Sequence, residues 1–308
     1  MPTQKVIFRY LIIAAVLQVV WGLTPTASKF VIEEIPVELY VALRWSISGA
    51  IFFSYIFVKR RWKPISISDC VWISLLGILG YGLASFGTLY GLKIGGVANF
   101  ALMASISPII SSIFSVFILN ERPAKTFYFA LPLSVLGLVI VVLGKYNISS
   151  PDIAVLSAIL ILGAYICESL VFVYSKRFKA KVDVPQYLAI AQTATSATMW
   201  VLQGTFFHQT SEITKLSTQG INALIFVSII SCVLCFAVLY WLLNHVDGHR
   251  LALFDGMHTI SAILFGYLFF HEALSPFMLI GGAMILIAII CGNLPKKKSA
   301  IVTEEACL

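Results

Sequence analysis

Ten apolar segments, separated by short polar interruptions, account for nearly the whole chain: Val6–Thr24, Val37–Val58, Cys70–Gly91, Val97–Leu119, Thr126–Gly144, Asp152–Tyr174, Val184–Phe207, Ile221–Leu243, Arg250–Phe270 and Ser275–Gly292. Most approach the roughly 20 residues that a helix needs to cross ~30 Å of hydrocarbon. Inside a bilayer the backbone must satisfy its own hydrogen bonds, which for continuous apolar runs means helices. The pattern predicts an all-α integral membrane protein with ten transmembrane helices and no separate soluble domain.

Charge fixes an orientation for this threading. Sixteen of the 21 Lys and Arg residues fall on the side where the first segment begins, four on the other side, and Arg44 alone lies within a span. The crowded side carries Lys5 and Arg9, Lys59 to Lys63, Arg122 and Lys125, Lys176 to Lys181, Arg250 and Lys296 to Lys298. A cytoplasmic excess of Lys and Arg orients membrane proteins, so both termini and the 295–308 tail are expected in the cytoplasm. A bacterial-type inner (plasma) membrane is the expected location, with the lipid bilayer as an obligatory partner. The first segment has a basic start, but its length and the nine spans after it argue against a cleaved signal peptide.

With 59% hydrophobic and 11% charged residues and a mean hydropathy of +0.95, the chain lies outside the soluble globular range. Its net charge of +7 belongs to the loops, and no basic stripe with stacking aromatics points to nucleic acid. Five of the six cysteines lie in or beside apolar spans, so no extracellular disulfide framework is implied. Cys232 and Cys235 have C-x-x-C spacing in mid-span and read as small residues packing between helices. No cofactor or metal site is expected.

Two halves of the chain can be superimposed. Pro108 stands thirteen residues before Glu121 at the end of span four, and Thr259 thirteen before Glu272 at the end of span nine. Each acid is followed by a short polar connection and a span rich in small residues. This predicts two five-helix repeats, residues 1–145 and 146–294. Because five is odd, the second enters from the opposite side, and such inverted repeats build a central cavity in secondary transporters. Glu121 and Glu272 read as helix-terminal anchors, and Pro25, Pro108 and Pro132 as candidate kinks.

Polar residues in mid-span locate the expected cavity. An ionisable group at the bilayer centre costs ~2.5–3.5 kcal/mol on insertion scales, and ~1.5 Å of rise per residue converts position to depth. Gln18, Trp21, Arg44, Tyr81, Ser85, Gln192, Ser196 and His258 then cluster around the midplane. Gln18 and Trp21, Tyr81 and Ser85, Gln192 and Ser196, and Asp255 and His258 repeat at helical spacing, so each pair shares one face. With Tyr165 as a further wall, these are the candidate substrate-binding residues. Arg44 can grip a carboxylate or phosphate in bidentate fashion, or can be held structurally by carbonyls freed near Pro25. Asp255 and His258, one turn apart, and Glu168 at similar depth are candidates for proton coupling.

These residues resemble the drug/metabolite transporter superfamily in its EamA-type ten-helix branch. The resemblance rests on Trp21-Gly22 with Lys29-Phe30, Leu43-Arg44-Trp45, Tyr90-Gly91-Leu92-Lys93 leading into Ala98 and Ala101, Pro108 with Glu121, and Glu272 with Gly281-Gly282. It covers about residues 8–293. It implies export or exchange of a small metabolite such as an amino acid, at a site enclosed by the two halves. Where the family pattern has proline, this chain has Thr259, preceded by Asp255-Gly256-Met257-His258, which points to a local specialisation.

The leading expectation is a secondary transporter, in the exporting direction, of an amino acid or related zwitterion or weak acid. It would work by alternating access as a monomer or homodimer, with a small-molecule substrate and H+ as a candidate coupling ion. No G-x-x-x-x-G-K-[ST] motif offers direct ATP drive. A sugar-phosphate or nucleotide-sugar exchanger of the same superfamily is the alternative, although such substrates call for more intramembrane cations than Arg44. An intramembrane enzyme using Asp255, His258 and Glu168 is the third reading, against which no H-E-x-x-H or activated-nucleophile pattern is present.

Overall fold

The computed structural model describes residues 4–104, 107–120, 125–143, 151–178, 181–254, 256–258, 260–261, 264–265 and 276–292. No strand occurs among them. Crossing one is split into α1 (Gln4–Trp21) and α2 (Thr24–Glu34), and crossing two is α3 (Val37–Lys59). Crossing three is α4 (Ile67–Gly77), a π-helical turn at Ile78–Leu83, and α5 (Ala84–Ala104). Next come α6 (Ser107–Leu119), α7 (Lys125–Leu143), α8 (Pro151–Ser175) and α9 (Val184–Leu202). Crossing eight repeats the plan of crossing three, with α10 (Thr218–Phe226), a π-helical stretch at Val227–Cys235 and α11 (Phe236–Leu243). The ninth is described through α12 (Gly248–Leu253) and a few residues beyond it, and the tenth is α13 (Pro276–Gly292).

Local chemistry explains several boundaries. Crossing one breaks at Gly22-Leu23, and Pro25 falls in the first turn of α2, where its missing N–H leaves no helix bond unmade. Ser66 and Ser217 cap α4 and α10 by accepting from the backbone N–H of Asp69 at 3.1 Å and of Gly220 at 3.0 Å. Arg60 ends α3 in the left-handed region, at φ 49°. The sequence reading places a turn between Gly91 and Val97, but α5 remains helical to Ala104. Gly95 and Gly96 cost only ~1 kcal/mol each in a helix, and no proline intervenes until Pro108.

The fold is that of two inverted five-helix repeats, and the packing among the described helices follows that plan. Helix α3 lies on α9, α6 on α12 and α7 on α13, so crossings two, four and five each meet their own counterpart. Crossing three packs on six through α5 and α8, and crossing eight on one through α10 and α11 against α2 and α1. A two-fold axis in the membrane plane requires this set of pairs, because it exchanges three with eight and six with one. Glycines permit the closest approaches. A Cβ on Gly77 would stand 2.3 Å from the Ala191 carbonyl oxygen, and one on Gly137 2.6 Å from that of Gly281.

Five helices among the described residues are long and apolar enough to cross a membrane: Phe8–Glu34, Val37–Lys59, Ile67–Ile94, Val155–Phe178 and Thr218–Leu243. Their exposed side chains, such as Phe57, Val71, Leu83 and Ile159, are the large apolar groups that lipid solvates.

Candidate functional site

A cavity of about 250 Å³ lies between the repeats. Crossings one, three, six and eight supply most of its wall, Arg44 enters from crossing two, and Ser107, Ser111 and His258 come from four and nine. The discontinuous first crossing and two of the three π-helical stretches, Ile78–Leu83 and Val227–Cys235, border it, while the third, Gln203–Phe207 at the end of crossing seven, does not. A π turn leaves backbone groups outside the regular i→i−4 ladder, and such turns recur at functional sites.

Those freed groups are satisfied in parallel ways. Trp45 Nε1 donates to the Tyr81 carbonyl at 2.8 Å, and Gln192 Nε2 donates to the Cys232 carbonyl at 3.1 Å. These bonds are equivalent by the repeat. With Val37 set against Val184, Trp45 falls opposite Gln192; with Ser66 set against Ser217, Tyr81 falls opposite Cys232. The same register, anchored by Ser28-Lys29 and Ser175-Lys176, pairs Gln18 with Tyr165 and Trp21 with Glu168. The register of Ser66 with Ser217 pairs Leu89 with Tyr240 and Ser107 with His258, and all of these residues line the cavity.

The charged groups fall where the repeats differ. Arg44 corresponds to Ala191, and Glu168 to Trp21. Arg44 Nη2 donates to Ser85 Oγ at 2.6 Å, and Ser85 Oγ donates onward to the Tyr81 carbonyl at 2.5 Å. The guanidinium lies 4.5 Å from the Trp45 ring centre and 5.5 Å from that of Tyr40. Its Nε is buried without a hydrogen-bond partner among the described residues. The arginine is therefore oriented from one side by a hydroxyl and two aromatic faces, with donor capacity left over.

Among the sequence-predicted site residues, Gln18, Trp21, Arg44, Tyr81, Tyr165, Glu168 and His258 meet at this one cavity. The His258 ring is hydrogen-bonded to the Trp21 backbone, and Trp21 packs edge-on against Phe236, ring centres 5.0 Å apart. Ser85 stands behind Arg44 as its acceptor. Gln192 and Ser196 do not reach the wall. Gln192 is fully buried and accepts from Ser48 Oγ at 2.5 Å, and Ser196 shares a 2.6 Å hydrogen bond with Ser46. Both lie between α3 and α9, where a neighbouring helix rather than water satisfies them. Asp255, Thr259, Glu121, Glu272 and the 295–308 tail lie outside the described residues, as do the side chains of Pro108 and Ser112.

Several wall residues escaped the sequence reading. Thr24 and Ser231 share a hydrogen bond of 2.6 Å, Ser111 and Ser169 one of 2.8 Å, and the Tyr81 hydroxyl donates to that of Tyr240 at 2.7 Å. Phe236 packs against Trp21, Trp45 and Tyr81. Cys232 lines the cavity as a buried thiol, while Cys235 packs between helices. Among the described residues, no group of three or more His, Cys, Asp or Glu could hold a metal ion.

Comparison with known proteins agrees with the architecture. Residues 8–143 and 155–294 each match the EamA-like transporter family. The chain is similar to the uncharacterized transporter YoaV of Bacillus subtilis (strain 168), 24% identical over 86% of this chain and 90% of the relative. An uncharacterized transporter of Archaeoglobus fulgidus is 22% identical over 90% of this chain and 96% of its own. A solved crystal structure superimposes with a TM-score of 0.79 at 19% identity, covering 93% of this chain and 98% of that one, a likeness of fold alone.

Proposed function

The chain belongs to the EamA-like transporter family, and from that premise we propose that this multi-pass membrane transporter carries a small zwitterion, an amino acid or close relative, by alternating access. The observation that carries this reading is one cavity of about 250 Å³ that presents a guanidinium from the first repeat and a carboxylate from the second, Arg44 and Glu168. A zwitterion needs both. Arg44 would take the carboxylate in bidentate fashion, and Glu168 would accept from the ammonium. Trp21, Phe236 and Tyr81 would cover the apolar part of the substrate. A substrate with two or more phosphate charges would meet one arginine, Arg44, among the described residues of this wall, which disfavours the sugar-phosphate reading.

Net movement would be outward across the plasma membrane, with the Lys- and Arg-rich face in the cytoplasm, in line with the loop charges. His258 and Glu168 line the cavity at positions where a proton could be exchanged with the substrate's own charges. Counterflow in proteoliposomes tests the assignment. Vesicles preloaded with an amino acid are expected to take up the same labelled amino acid faster than empty vesicles, and nucleotide sugars are expected to give no such stimulation. Stimulation by nucleotide sugars alone would reverse the assignment.

A further inference from the structure

The face carrying the basic loops and the opposite face are built on equivalent positions, but only one of them closes with a hydrogen bond between tyrosines. Tyr240 lines the central cavity and also a second cavity of about 20 Å³ nearer the basic face, between the ends of α8 and α11 and the start of α9. Its ring lies between the two spaces. Tyr81 donates to its hydroxyl at 2.7 Å, and the Tyr187 ring packs on it with centres 5.2 Å apart. All three tyrosines are buried.

In the mirror-related repeat, Tyr187 corresponds to Tyr40, Tyr81 to Cys232 and Tyr240 to Leu89. Leu89 has no donor or acceptor, so the Cys232–Leu89 pair has no such bond to make. We propose that Tyr240, fastened by Tyr81, is the barrier between the substrate chamber and the basic face, and that this unmatched bond biases the resting transporter towards closure at that face. The proposal rests on the alternating-access reading. In a symmetric pair of repeats the two closed states would be nearly equal in free energy, so a bond between crossings three and eight that one face makes and the other cannot shifts the balance.

A thiol reporter tests this without knowledge of the substrate. Thr88, on the cavity wall, is replaced (Thr88→Cys) in a chain whose native cysteines have been changed to serine or alanine. A membrane-impermeant maleimide is then applied to sealed vesicles of each orientation. The reporter is expected to react faster from the opposite face. Tyr81→Phe and Tyr240→Phe should each raise reaction from the basic face about two- to ten-fold, the equilibrium change that one hydrogen bond makes, and the double variant no further. Tyr240→Leu, which copies Leu89, should bring the two rates together. Unchanged reaction from the basic face in all four variants, with normal reaction from the opposite face showing an intact fold, would overturn the barrier while leaving the transport reading in place. No reaction from either face in any version would sink the shared chamber itself, and the proposal with it.

Discussion

The junction that joins crossings one and two to crossing eight on the opposite face, and its counterpart on the basic face, use equivalent positions with different chemistry. On the opposite face Glu34 accepts from the Ser217 backbone N–H at 2.8 Å and from its hydroxyl at 2.6 Å, so a carboxylate sits on the N-terminus of α10. On the basic face the equivalent of Glu34 is Lys181. It pairs at 2.6 Å with Asp69 in the first turn of α4, and Lys63 pairs at 2.6 Å with Asp183. One end is fastened by hydrogen bonds to a helix terminus and the other by partly exposed ion pairs, which carry only ~0–1 kcal/mol each. An inverted repeat thus conserves where the ends touch and leaves open how strongly they hold.

The largest effect should come from the packing that both repeats share. Gly77→Val puts a side chain against the backbone of Ala191. The cost should exceed the ~1–3 kcal/mol of ordinary overpacking, because a helix backbone has nowhere to move. Monodisperse protein after detergent extraction should be lost. The mirror position, Ser228, is buried and bonds to its own helix at the Leu224 carbonyl. Ser228→Ala should therefore cost ~1 kcal/mol and extract normally. Equal behaviour of the two variants would mean that the repeats do not differ at this crossing.

Smaller effects are expected at the ends. Glu34→Ala should lower the detergent melting temperature by an amount equivalent to ~1 kcal/mol, since it uncovers a helix terminus. Lys181→Ala should lower it by less, and raising the salt concentration should erase that difference by screening the exposed pair. A larger loss for Lys181→Ala at high salt would invert the comparison.

The fold was legible because the bilayer leaves few choices: an apolar run of sufficient length is a helix, and the basic loops divide the two faces. The acid-closed repeat at Glu121 and Glu272 exposed the duplication. The site was only partly legible. Arg44, Glu168, Gln18 and His258 stood out because ionisable or amide groups are costly in hydrocarbon. Helical spacing gave a polar face for Gln192 and Ser196, but not what that face meets, and Ser48 and Ser46 satisfy it across a helix contact. The hydroxyls of Thr24, Ser111, Ser169 and Ser231 carry no such signal, since serine and threonine are common between membrane helices. A usable signal was nevertheless present. Ser28-Lys29 and Tyr40 repeat as Ser175-Lys176 and Tyr187, a register that pairs Trp21 with Glu168, and the separate register of Pro108 with Thr259 pairs Leu89 with Tyr240.

Charge complementarity within the chamber is tested most directly by substrate analogues in the same counterflow assay. An amino acid is compared with its decarboxylated amine and its deaminated acid, in the wild type and in Arg44→Gln and Glu168→Gln. Arg44→Gln should lose the preference for the amino acid over the amine while retaining that over the acid, and Glu168→Gln should do the reverse. A uniform loss of transport for all three compounds in both variants, with protein of normal yield and dispersity, would contradict the pairing of one charge from each repeat.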